Sequence, residues 1–350
     1  MGKGTMFINI AFQTSYQQGL LIVMSLRIRC VQVFEFGMDL FAITFQSVIV
    51  LLGIGVFGFL IVQRKVVAED ALGALSSLAL DLALPCLVFV NIVSSFSPQE
   101  TPDWWVLPFW WIVFTALAAV LTGFLMFFSQ KGTRREFAMS LFLHNGLFFP
   151  LAILTGMFGA SSPYLVSLFL FMIFYPAFLF NIYPFFFGKN ERKINFRRIF
   201  NVVFISTLLA VVIRLADVQP YIPVEVISIL TMLGAMTVPL LMLVIGGSLS
   251  LTFQRKGKIY SAEIAKFVIM KNIMFPLVFL GVLLIIRPSY PIALLLMLQS
   301  AVPPVTALPI FIKRVGGNES IVNQFLLGSF SFSLVTIPVM MSLFTLFFSP

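Results

Sequence analysis

Two short runs set amides, small residues and prolines inside otherwise apolar sequence. One is Leu143-His144-Asn145-Gly146-Leu147-Phe148-Phe149-Pro150 and the other Leu298-Gln299-Ser300-Ala301-Val302-Pro303-Pro304-Val305-Thr306. Proline within a helix removes a backbone donor and clashes with the preceding turn. Backbone groups freed inside a bilayer are tolerated only where protein or a water-filled cavity satisfies them. Polar residues just before such breaks therefore predict a binding site made by Asn145, Gly146, Gln299 and Ser300, with Pro150, Pro303 and Pro304 opening the helices. Half-helices that start at a break present free N–H groups and positive dipole ends, which suit an anion. The competing reading is a pair of kinked helices whose polar residues bond their neighbours.

Other polar residues in apolar surroundings carry their own alternatives. Asp81, four residues before Pro85, is expensive within a membrane and would carry a coupling proton or pair structurally. His144, the sole histidine, would titrate near neutral pH or serve as a hydrogen-bonded structural residue. Lys271 would attract an anionic substrate or snorkel to the membrane surface. Asn91 and Asn181 are expected to hydrogen-bond between helices. Gly53-Ile-Gly55-Val-Phe-Gly58 matches a dinucleotide-binding pattern, but no strand precedes it and close helix packing explains it better. Cys30 and Cys86 make no disulfide framework, and Cys86 reads as a small buried hydrophobe. No metal-spaced set, nucleophile elbow or phosphate loop is present, so neither an enzyme, a cofactor nor a metal is expected.

The elements that must position these residues follow from composition. The chain of 350 residues is 60% hydrophobic and 10% charged, with mean hydropathy +1.06. Soluble domains carry about 25% charged residues, so the fold class is an all-α polytopic membrane protein in a lipid bilayer. At about 20 apolar residues per span, ten segments qualify: 40–62, 71–95, 104–128, 137–158, 164–187, 199–216, 222–251, 264–286, 291–312 and 321–348. The net charge of +9 is then explained by loops rather than by nucleic-acid binding. Arg64, Lys65, Lys131, Arg134, Arg135, Lys189, Arg192, Lys193, Arg197, Arg198, Arg255, Lys256, Lys258, Lys313 and Arg314 fall on one side. Only Lys3, Arg27, Arg29, Arg214 and Arg287 fall on the other. That bias of fifteen to five predicts a cell-membrane protein with both termini non-cytoplasmic.

Pro85, Pro150 and Pro184 recur 154 positions later as Pro239, Pro304 and Pro338, against the alternative that prolines are simply common in membrane helices. Two halves of five spans each would have opposite orientation, as in inverted-repeat transporters with alternating access. The expected units are a first repeat at 38–188, a short basic cytoplasmic linker at 189–198 and a second repeat at 199–350. Residues 1–37 carry only a short apolar stretch, Leu20 to Leu26, and read as a mobile tail or as a start placed upstream of Met38.

These residues resemble the auxin efflux carrier family over about residues 40–348. The likeness rests on the first-span glycines, Leu75-Ser76-Ser77-Leu78 leading to Leu84-Pro85-Cys86-Leu87-Val88-Phe89, and Asn145-Gly146 before Pro150. It also rests on Gly246-Gly247-Ser248-Leu249, Lys271 before Pro276, and Gln299-Ser300-Ala301-Val302-Pro303-Pro304. The resemblance implies ten helices in two inverted five-helix repeats, with broken helices 4 and 9 crossing beside the substrate. It places Asn145 and the break at Pro303 and Pro304 around a carboxylate, and spans 1, 2, 6 and 7 in a scaffold that often forms a homodimer. Asp81 and His144 do not carry over from the family pattern. The plant carriers' long central loop is replaced by about eleven residues. This is similar to a short bacterial organic-acid permease branch, and it points to small dicarboxylates such as malate or malonate rather than auxin. The function implied is a secondary transporter of a small organic anion; the alternative is a ligand sensor on the same fold without net transport.

Overall fold

A computed structural model describes residues 41–187, 201–254 and 259–348, so the expected tail, the basic linker and Cys30 lie outside the described residues. In chain order the helices are α1 (Phe41–Gln63), α2 (Asp70–Ser95), α3 (Pro102–Phe128), α4 (Arg134–Phe142) and α5 (Phe148–Phe158). Next come α6 (Pro163–Phe171), α7 (Tyr175–Ile182), α8 (Val202–Leu215) and α9 (Val224–Leu251). The last four are α10 (Ser261–Ile286), α11 (Tyr290–Ala301), α12 (Leu308–Val315) and α13 (Glu319–Thr345). No strand forms among the described residues.

Six of these helices, α1, α2, α3, α9, α10 and α13, are long and apolar enough to cross a membrane. They match six of the ten expected spans closely. The other four expected spans consist of shorter helices, for different reasons. Segments 137–158 and 291–312 each break in the middle, giving α4 with α5 and α11 with α12. The chain turns between Phe171 and Tyr175, which separates α6 from α7. In α8, the helix covers 14 residues.

Proline shapes the long helices without stopping them. In α2 the backbone widens to a π-helical turn at Leu78–Ala83, just before Pro85, and in α10 it does so at Met270–Met274, just before Pro276. A proline cannot donate the regular i→i−4 bond, and a wide turn absorbs the missing bond without breaking the helix. These two turns carry Asp81 and the pair Lys271 and Asn272.

Small residues let helices approach backbone to backbone. A Cβ on Gly58 would lie 2.2 Å from the Leu243 carbonyl oxygen, and one on Gly246 would lie 1.8 Å from that of Gly55. The glycine-rich run of α1 is therefore a packing seam against α9, as its apolar setting predicts. Cys86 is buried in α2, again as expected. Asn91 differs from expectation, since its amide donates to Leu87 O within its own helix at 3.0 Å. A carbonyl one turn back lies within easy reach of the amide nitrogen, while Oδ1 is buried without a partner among the described residues.

The centre of the fold is where helices are buried all round. Every residue of α11 from Ala293 to Ala301 is buried, as is every residue of α4 from Glu136 to Phe142. Helices of that kind belong inside a bundle. Two acids that the sequence reading passed over pin the loops at one end. Glu136 accepts from the Asn318 backbone N–H at 2.9 Å, tying α4 to the start of α13. Glu263 accepts from Ser129 Oγ at 2.8 Å and pairs with Lys266 at 2.8 Å, tying α10 to the loop before α4. Both sit in the first turn of their helices, where a carboxylate also suits the dipole.

Candidate functional site

The two breaks meet. Asn145 N–H donates to Pro303 O at 2.8 Å, and Val305 N–H donates to Leu143 O at 2.9 Å, so the extended segments run antiparallel with His144 opposite Pro304. Two side chains satisfy carbonyls on the first segment. Gln299 Nε2 donates to Gly146 O at 2.6 Å, and the Tyr175 hydroxyl donates to His144 O. Pro303 and Pro304 bring no N–H of their own to a segment that cannot pair them all. Each break thus supplies partners for the other, as buried non-helical backbone requires.

Gly146 is needed for closeness. A Cβ there would sit 2.2 Å from Gln299 Oε1 and 2.8 Å from the His144 ring. His144 is wedged rather than free: its ring packs edge-on to Phe114 at 5.0 Å and lies 5.4 Å from Tyr175, and Nδ1 is 3.2 Å from Phe142 O. Ser300 returns its hydroxyl to Met297 O at 2.7 Å within α11.

His144 Nε2 and Gln299 Oε1 are buried without a partner among the described residues, and Asn145 lacks one at both ends of its carboxamide. The Asn145 side chain is only 1% exposed. A buried polar group without partners is uncommon in folded proteins and calls for a physical cause. Here it lies between α4 and α5, beside the paired breaks from which α5 and α12 start and at which α4 and α11 end.

Lys271 joins the same place from α10. It is fully buried, with Nζ 3.5 Å from Leu141 O and 4.5 Å from the centre of the Phe275 ring. It does not snorkel. Leu141 lies in the last turn of α4, so the ammonium faces the negative end of that half-helix. No carboxylate pairs with it among the described residues. Its neighbour Asn272 donates to Ser329 O at 3.0 Å and accepts from Ser329 Oγ at 2.7 Å, which anchors the wide turn to α13.

The structure thus brings Asn145, Gly146, His144, Lys271, Gln299, Ser300, Pro303 and Pro304 to one region. Pro150 lies outside the break, in the first turn of α5, where a missing N–H costs no helical bond. Asp81 is exposed on the outer side of α2, away from the buried breaks. Tyr175 is a member that the sequence reading missed. Its only signal was a tyrosine in an apolar segment, and that gives no hint of which carbonyl it reaches.

The family model for membrane transport proteins, the auxin efflux carrier family, matches residues 43–195 and again residues 186–341. The chain belongs to that family. Membership makes it a membrane transport protein, in keeping with its six long apolar helices, and the family is one of transporters rather than enzymes. No curated protein matches the chain.

Proposed function

We propose that the chain is a secondary transporter that moves a small organic anion, a carboxylate such as malate or malonate, by alternating access through the paired breaks. The observation that carries this reading is the buried, unpartnered carboxamide of Asn145 beside two half-helix N-termini. A carboxylate there would accept from the amide, while the N-termini and the Lys271 ammonium offset its charge. Membrane potential alone could drive export, at about 2.3 kcal/mol per charge per 100 mV.

The architecture that goes with this reading is ten spans in two inverted five-helix repeats, 38–188 and 199–350, joined by the linker at 189–198. The fifteen-to-five distribution of cations supports a cytoplasmic linker and non-cytoplasmic termini. The 154-residue proline register needs adjusting under this scheme. Counted from His144 to Pro304, the centres of the two breaks are 160 residues apart, so Pro150 and Pro304 are not equivalents.

A homodimer belongs to the same proposal. Asp81 lies near the middle of α2 on an exposed face, with Leu78 and Leu82 exposed beside it. A carboxylate facing hydrocarbon there would cost about 2.5–3.5 kcal/mol, a cost that a second copy on this face offsets if it brings a hydrogen-bond donor to Asp81. A cysteine placed at Leu78 is expected to cross-link two copies in membranes. A strictly monomeric product would exclude this interface.

The site itself is tested by flux of radiolabelled malate or malonate in proteoliposomes. Asn145→Ala is expected to weaken transport by about tenfold to a hundredfold, the worth of a hydrogen bond to a charged group. Wild-type flux in that variant would remove Asn145 from the site. Saturable binding without flux in the unaltered protein would instead favour a sensor.

A further inference from the structure

A second cavity lies apart from the paired breaks. Its volume is about 590 Å³, and it opens between the end of α3, the first turns of α4 and the 3₁₀ turn after α7. Lys131, Arg134 and Arg135 line it, with no carboxylate among the described residues there. Glu136, next to Arg135 in the chain, accepts from the Asn318 backbone, and Glu263 is engaged with Ser129 and Lys266.

These cations are held in place, and none has a carboxylate partner among the described residues. The Arg134 guanidinium sits 5.0 Å from the centre of the Phe127 ring, and Arg135 lies 6.0 Å from that of Phe187. Arg134 Nε is buried and has no hydrogen-bond partner among the described residues. The first turn of α4 has no side-chain cap, and the Glu136 carboxylate in that turn offsets part of its positive end. Three cations lining one cavity call for an anion with several acceptor oxygens.

The walls identify what kind of molecule carries that anion. Beyond the cations the lining is apolar apart from Thr122 and follows α3 through Ala119, Gly123 and Met126, within a helix long and apolar enough to cross a membrane. Val120, Phe124 and Phe127 stand exposed along α3, so this side of the helix faces outward to lipid. The cations lie just beyond the end of α3, at the depth where headgroups sit. Gly123 leaves open space where any other residue would place a Cβ. A soluble anion has no use for such a channel, but an acyl chain does.

We propose that this cavity binds one anionic phospholipid, with its phosphate held by Lys131, Arg134 and Arg135 and an acyl chain lying along Ala119, Gly123 and Met126. Basic pockets between membrane helices are suited to such headgroups. The site is separate from the paired breaks and does not depend on the transport reading.

Native mass spectrometry of the full chain in detergent, titrated with lipids, tests this. Phosphatidylglycerol is expected to remain bound as a single copy under conditions that strip phosphatidylcholine with the same chains. Each neutralised cation is expected to weaken retention about fivefold, so K131Q/R134Q/R135Q together should weaken it roughly a hundredfold. R64Q/K65Q, which removes charge outside the cavity, should leave retention unchanged. G123L fills the acyl channel where a side chain meets open space, and it should lower lipid retention with the fold intact. Equal retention of both lipids, or equal loss in R64Q/K65Q, would overturn the site. Inorganic phosphate binding at the same cations with no effect of G123L would assign the cavity to a soluble anion instead, and would also overturn it.

Discussion

Gly146→Val is expected to abolish transport and to lower stability by about 1–3 kcal/mol, the usual cost of overpacking a filled interior. The added branch would enter space held by Gln299 Oε1 and the His144 ring. Gln299 cannot simply swing aside, because it is fully buried and its amide satisfies the Gly146 carbonyl. Moving it leaves that carbonyl unpaired and pushes the two extended segments apart. The loss therefore spreads to the backbone bonds from Asn145 to Pro303 and from Val305 to Leu143. Flux in proteoliposomes and a thermal melt measure both effects. A fully active Gly146→Val protein would show that the close approach is incidental.

Lys271→Met is expected to separate stability from activity. A buried ammonium with no carboxylate partner is held at a desolvation cost. Methionine fills a similar volume without charge, so the melt should rise, by about 1–4 kcal/mol if the gain resembles that from replacing buried ion pairs. Transport of a carboxylate should fall at least tenfold, because the buried cation at the end of α4 is gone. Gains in stability that sacrifice activity are the usual mark of a residue kept for function. A less stable protein with unchanged flux would make Lys271 a structural prop for the end of α4.

Much of the helical layout was legible because the bilayer demands long apolar runs, and six such runs match the described helices closely. The two broken segments were legible too, since prolines and amides are conspicuous in apolar sequence. What could not be read was direction. Asp81 and Lys271 look alike in sequence, each a charge within an apolar helix a few residues before a proline. Packing turns Lys271 into the centre and Asp81 to the outside. The proline offset misled for a related reason. Pro150 and Pro304 play different parts, one in a helix's first turn and one within extended backbone, and spacing alone does not distinguish them. Tyr175 and the basic cavity depend on contacts between segments far apart in the chain, for which local pattern holds no signal.

The mutual pairing of the breaks also bears on how the chain is made. Asn145 finds its backbone partner in Pro303, and Leu143 finds its own in Val305. During synthesis the first broken segment enters the membrane long before the second exists. Until α11 and the segment after it arrive, the peptide groups of Leu143 and Asn145 lack the partners that close them. Such late, distant closure slows folding and exposes the intermediate to misassembly. An insertion chaperone that shields polar backbone within the bilayer would act on this interval, and the first half expressed alone should be degraded unless the second half is supplied in the same cell.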